Sequence, residues 1–332
     1  MNKALYTAPT MAGSRCTRRR SLLALIAQAW FVTAACSTPA AHPIQEYTFL
    51  TQTSPNFARG LVEHYNRTVP FVHVTMKTER GGAPAIVSDL RTGSGQIGVV
   101  QQADAVYLAY RHGVEGDPHP YVNLRGVAVM WRNTLTVVVQ RSGHYRSLTD
   151  LRGKRVGIFE AGTATEFLSR ALLRVYGMSY ADIQPVFNNN SAKLIQNDEI
   201  DAAIFVTPAT PDPVIEALRD DGHLALLPIP HSVIGELLRA QPFLHPATIP
   251  GSSGPGRIGD LETVGIDALL VCRDDVADDV VYQFTREFFA ALPMLAQTNP
   301  EAANVDVESA PATPIPLHPG AARYYREREV LK

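Results

Sequence analysis

Strands alternating with helices predict an α/β chain of two lobes, each an open sheet with helices on its faces. Three observations carry this. Short apolar runs alternate with stretches of helical period, the alternation restarts after residue 150, and an apolar strand at 264–272 returns late in the chain. The strands at 135–139 and 264–272 are then expected to cross between the lobes as hinge strands. Lobe I comprises 46–134 and 264–332, and the inserted lobe II comprises 135–263 with its return linker. Ligands of open α/β sheets sit beyond the carboxyl ends of strands, which directs attention to the cleft between the lobes.

Each element has its own signal. Tyr47 to Leu50 read as a strand, and Ser54-Pro55 open a helix with Phe57, Leu61 and Tyr65 on one stripe. Phe71 to Met76 alternate as a strand. After Gly81-Gly82, Pro84 suits a first helical turn, with Ile86, Val87 and Leu90 as its apolar face. Ile97 to Val100 form a third strand ending in Gln101-Gln102, and a helix follows over Ala103 to His112. Val127 to Met130 and Leu135 to Val139 read as two strands separated by Trp131-Arg132-Asn133.

The second series runs strand 155–159, helix 164–176, strand Ala202 to Val206, helix Pro213 to Asp221, strand Leu224 to Leu227 and helix Val233 to Arg239. Asp212 as N-cap, Pro213 at the first position and Gly222 at the stop sign the middle helix. Ala247 to Asp260 read as a Gly/Pro/Ser loop. Val264 to Cys272 is a strand and Val276 to Leu295 a long amphipathic helix. A Pro-rich connector at 311–319 precedes a last helix, Ala321 to Val330.

The chain of 332 residues is 45% hydrophobic and carries a net charge of −2. Its first 35 residues hold five basic groups and no acidic ones, so the remainder has 25 basic against 32 acidic residues. That balance argues against a nucleic-acid partner. Arg18 to Arg20 followed by the apolar run 22–35 read as an export signal, too short to span a bilayer. The run ends in Thr33-Ala34-Ala35-Cys36, which resembles a bacterial lipobox with Cys36 as the lipidated residue. Residues 1–35 are therefore expected as a signal peptide and 36–45 as a tether, giving an exported, periplasmic, lipid-anchored protein. Cys272, within an apolar run, reads as a small buried residue.

The sharpest local feature is the run from Arg155 to Glu166. A buried strand feeds a turn at Gly162, and Thr163 with Glu166 three residues later is a capping box opening a helix that stops at Gly177. A helix N-terminus with free N–H groups beside two hydroxyls suits a carboxylate. Asp274-Asp275 and Asp278-Asp279 lack the spacing of a calcium loop and read as helix N-terminal acids. No metal or cofactor is expected. No Gly-x-Ser-x-Gly, His-x-x-His or carboxylate dyad supports catalysis, so an enzyme is not expected.

Several runs, in order, resemble one family. They are Gly95 to Asp104 with Tyr107 to Tyr110, Leu148 to Gly157, Gly162 to Glu166, Thr263 to Val271 and Leu317 to Glu327. The chain resembles TAXI-type solute receptors, the extracytoplasmic binding subunits of TRAP transporters. The resemblance implies a type II periplasmic-binding-protein-like fold and a small organic acid (an amino acid or dicarboxylate) held between the lobes. It also implies delivery to TRAP-type permease subunits. Where the family has a Gly-rich segment with paired tyrosines, this chain has Thr51 to Phe57. The expected ligand contacts are Ser54, Arg80, Gln101 and Gln102 from lobe I, and Thr163, Ala164, Thr165 and Thr207 from lobe II. A binding protein of an ABC importer, or a periplasmic sensing domain, is the alternative that the same lobes allow.

Overall fold

The computed structural model describes residues 44–52, 55–114, 116–208, 222–249, 251 and 259–331. The expected signal peptide, residues 36–43 of the expected tether, Cys36 among them, Ser54 and the helix at 213–221 lie outside them, and Gln45 at the end of that tether already belongs to the first strand. In chain order the elements are β1 (Gln45–Thr51), α1 (Pro55–Thr68), β2 (Val72–Thr78), α2 (Gly82–Thr92), β3 (Ile97–Val100), α3 (Ala103–His112) and β4 (Leu124–Gln140). Then come β5 (Arg155–Ile158), α4 (Ala164–Val175), β6 (Gln184–Phe187), α5 (Ser191–Gln196), β7 (Ala202–Pro208) and β8 (Leu224–Leu226). The last are α6 (His231–Ala240), β9 (Leu244–Ile249), β10 (Leu261–Arg273), α7 (Asp278–Leu295) and α8 (Pro319–Glu327).

The lobes share one mixed sheet, ordered β2-β1-β3-β10-β4-β7-β5-β6, with β8 beside β4 and β9 beside β10. Strands within each lobe pair in parallel, whereas β4 and β10 run antiparallel to their neighbours. Those two strands make the sheet mixed. One correction concerns β4, expected as two strands. It is one strand of 17 residues whose first part pairs with β10 and whose second pairs with β7. Trp131-Arg132-Asn133 broke the apolar pattern but not the strand. Leu244–Ile249 is a second correction: part of the expected loop pairs with β10 as β9. Pro246 sits within β9, an edge strand, where a missing N–H is tolerated.

Lobe I buries both sheet faces. Phe57, Leu61 and Tyr65 of α1 meet Phe284 and Phe288 of α7 on one side. Ile86 and Leu90 of α2 pack with Val106 of α3 on the other. In lobe II, Leu168 and Leu172 of α4 join Ile234 and Leu237 of α6, while Ile195 of α5 and Phe205 cover the opposite face. Cys272 is fully buried, and burial raises its thiol pKa. His318 is buried at the N-cap of α8 and accepts from the N–H of Gly320. Asp278 and Asp279 stand in the first turn of α7, where the helix dipole favours them.

Where β4 and β10 cross, buried Asp267 of β10 accepts from Arg132 Nε of β4 at 2.9 Å and meets His245 Nε2 of β9 at 3.0 Å. Burial works to raise the Asp267 pKa, yet hydrogen bonds from His245 and Arg132 outweigh it and hold the carboxyl below its usual range. The β4–β10 register slips between Asp267 and Leu269, so the ladder is irregular beside this group.

Candidate functional site: an interlobe cavity at the N-terminus of α4

Between the lobes lies an inner cavity of about 220 Å³. Lobe I contributes Gln52, Gln101, Trp131 and Asn133 to its wall, and lobe II contributes Phe159, Thr163 to Thr165 and Val206 to Pro208. Five of the expected contacts therefore meet in one place: Gln101, Thr163, Ala164, Thr165 and Thr207. Gln102, its side chain turned the other way along the chain, lines a second, outer cavity of about 700 Å³. Arg80 is exposed and lines neither cavity.

The turn before α4 builds the floor. Thr163 is the N-cap, and its Oγ1 accepts from the N–H of Glu166 at 3.2 Å. The same hydroxyl donates to the carbonyl of Glu160 at 2.8 Å, so its proton is already committed. The capping box is only half closed. Glu166 does not return to the N-cap; its carboxylate accepts from Arg170 at 3.0 Å and from Tyr180 at 3.2 Å. The backbone N–H groups of Ala164 and Thr165 have no partners within the helix and point along its positive end. Thr165 Oγ1 accepts from the N–H of Val206 at 3.1 Å, which leaves its own proton available. The seat is thus two backbone N–H groups and one hydroxyl.

These roles separate the two threonines. Thr165→Val should weaken binding of an acid about tenfold, as it removes a donor worth roughly 1.4 kcal/mol. Thr163→Val should leave affinity nearly unchanged and lower stability by about 1 kcal/mol through loss of the cap. Titration calorimetry and urea denaturation of both variants check the contrast.

The opposite wall was less legible. Trp131 is 2% exposed, meets Phe57 edge-on with ring centroids 5.1 Å apart, and its Nε1 has no partner among the described residues. Asn133 Nδ2 donates to the Gln101 carbonyl at 3.2 Å and tethers β4 to the end of β3. No Asp, Glu, His, Lys or Arg stands among the described lining residues of the inner cavity, so an anion there relies on neutral donors and the helix terminus.

The lobes touch beside the cavity. Gly82 (φ +69°) at the start of α2 faces Gly162 (φ +82°) before α4, so closely that a Cβ on Gly82 would lie 2.5 Å from the Gly162 carbonyl oxygen. Both positions require the left-handed backbone that glycine adopts freely.

A Xanthomonas citri protein bound to ATP is similar at 14% identity and a TM-score of 0.52, over 86% of this chain and 98% of that one. A Bordetella bronchiseptica RB50 protein is similar at 12% identity and a TM-score of 0.52, over the same shares. The alkanesulfonate-binding protein SsuA from Xanthomonas axonopodis pv. citri bound to MOPS is 17% identical, with a TM-score of 0.46, over 87% of this chain and 96% of that one. At these identities the likeness describes the fold: a two-lobed α/β architecture of the periplasmic-binding-protein type with a mixed sheet. The NMT1-like family matches residues 57–328, and the chain belongs to that family.

Proposed function

We propose that this chain is an exported solute-binding receptor that holds a small organic acid between its lobes and hands it to a membrane importer. One observation carries the reading: a cavity with walls from both lobes, floored by the free N–H groups of a helix terminus. A carboxylate there gains hydrogen bonds from lobe II while its body touches Trp131 and Gln101 of lobe I. Contacts made with both lobes stabilise the closed arrangement over an open one, with β4 and β10 as the hinge. Neither cavity places His or Cys among its described lining residues, which supports capture over turnover.

An ABC importer is the permease we put first, and the NMT1-like match is compatible with it. A TRAP-type permease has the motifs at 95–110 and 317–327 as its support, and a sensing role fits the same lobes. The neighbouring genes separate the three: an ATPase with a permease, a fused multi-spanning TRAP permease, or a histidine kinase. No described helix is long and apolar enough to cross a membrane. Attachment through a lipid on Cys36 belongs to this proposal, and mass spectrometry of the membrane fraction tests it.

A thermal-shift screen against amino acids, monocarboxylates and dicarboxylates tests capture. An acid at 100 times its dissociation constant should add roughly 2.7 kcal/mol of stability and be recovered unchanged. No stabilisation by any acid, together with conversion of one of them, would contradict the receptor reading.

A further inference from the structure

The outer cavity holds an unexplained pair of acceptors. Asp104, in the first turn of α3, is 3% exposed, and its Oδ1 has no hydrogen-bond partner. Gln102 is 4% exposed, and its Oε1 also has none. Both residues line the same cavity, so two buried oxygens, one of them a carboxylate's, lack donors. The carboxyl is hydrogen-bonded by the Ala105 N–H, its own backbone N–H and the Gln102 amide, which orient it.

The other charges facing this cavity come from α4. Glu166 and Arg170 are paired there at 3.0 Å and cancel one another. From α2, Pro84 and Ser88 face the cavity and carry no charge. Asp104 is therefore the one carboxyl of the described wall that has no charged partner. Apolar surface lies beside it: Phe167 of α4, and Leu108 of α3, which is 39% exposed.

We infer that the outer cavity is a second binding site, for a small alkylammonium cation whose N–H groups donate to Asp104 Oδ1 and Gln102 Oε1. A primary ammonium supplies three donors and one positive charge, which answers a carboxylate and an amide oxygen together. Its alkyl body covers Leu108 and Phe167. The wall comes from α2 and α3 on one side and α4 on the other, so an occupant also bears on the closed arrangement of the lobes. The inner cavity and its acid are not needed for this site.

The test is titration calorimetry of the full chain with n-butylammonium, tetramethylammonium and calcium, each as the chloride. n-Butylammonium should bind, and tetramethylammonium, which lacks N–H donors, should bind at least about tenfold more weakly, as should calcium. Asp104→Asn should cost n-butylammonium at least about tenfold in affinity, while any organic acid found by the thermal screen keeps its affinity. Four results would overturn the site: no n-butylammonium binding at tens of millimolar, equal binding of tetramethylammonium, preference for calcium, or unchanged binding to Asp104→Asn. Loss of organic-acid binding in the wild type strikes the receptor reading and leaves this site standing.

Discussion

Replacing Gly82 with alanine is expected to weaken organic-acid binding by about a hundredfold, near 2.7 kcal/mol. The added Cβ would sit 2.5 Å from the Gly162 carbonyl oxygen, closer than any real contact, and the obstacle is backbone. The lobes must therefore part at the point where they meet, and a bound acid loses contacts with one wall. Left-handed strain separately lowers the stability of the fold by about 1 kcal/mol. Gly177 supplies the control, since it has φ +62° but nothing within 4 Å of its would-be Cβ. Gly177→Ala should cost about 1 kcal/mol in urea denaturation and leave affinity unchanged. Equal affinities for wild type and Gly82→Ala would remove the lobe contact from the account.

Asp104→Asn is expected to stabilise the fold at pH 8 by about 2 to 4 kcal/mol. Burial raises the Asp104 pKa from 3.8 to about 7, against hydrogen bonds that lower it. The folded state thus holds a proton that the unfolded chain has already released between about pH 4 and 7. Because the folded state binds more protons there, stability falls as pH rises through that window and levels off above pH 7. Asparagine keeps the shape and has no such proton, so the variant's stability should be flatter from pH 5 to 8. Denaturation curves at both pH values check this; parallel losses in variant and wild type would contradict it. A stabilised fold that has lost a cation site would be the signature of an acid retained for binding.

Much of this was legible from periodicity. Phe57, Leu61 and Tyr65 declared the buried stripe of α1, and Gly177 declared the end of α4 with its left-handed backbone. The α4 turn was readable because capping is local chemistry: Thr163 needs only its neighbours to act as an N-cap. What the sequence hid was set by partners distant in the chain. Trp131-Arg132-Asn133 read as a break, yet Arg132 is turned to Asp267 and Trp131 to Phe57 by residues far away. The signal was present as an aromatic and an amide inside an apolar strand: Trp131 joins the core beside Phe57, and Asn133 reaches the Gln101 carbonyl. β9 was hidden because Pro246 on an edge strand looks like part of a loop until β10 is beside it. The exposed placement of Arg80, and the division of Gln101 and Gln102 between two cavities, required the lobes to be set against each other.

An organic acid is proposed to sit between the lobes on the N-terminus of α4. A crystal structure of the chain with the best acid from the thermal screen tests it most directly. A carboxylate is expected within hydrogen-bond distance of the Ala164 and Thr165 N–H groups and the Thr165 hydroxyl, with the acid's body against Trp131. An acid bound outside this cavity, or one whose carboxylate points away from the helix terminus, would contradict it.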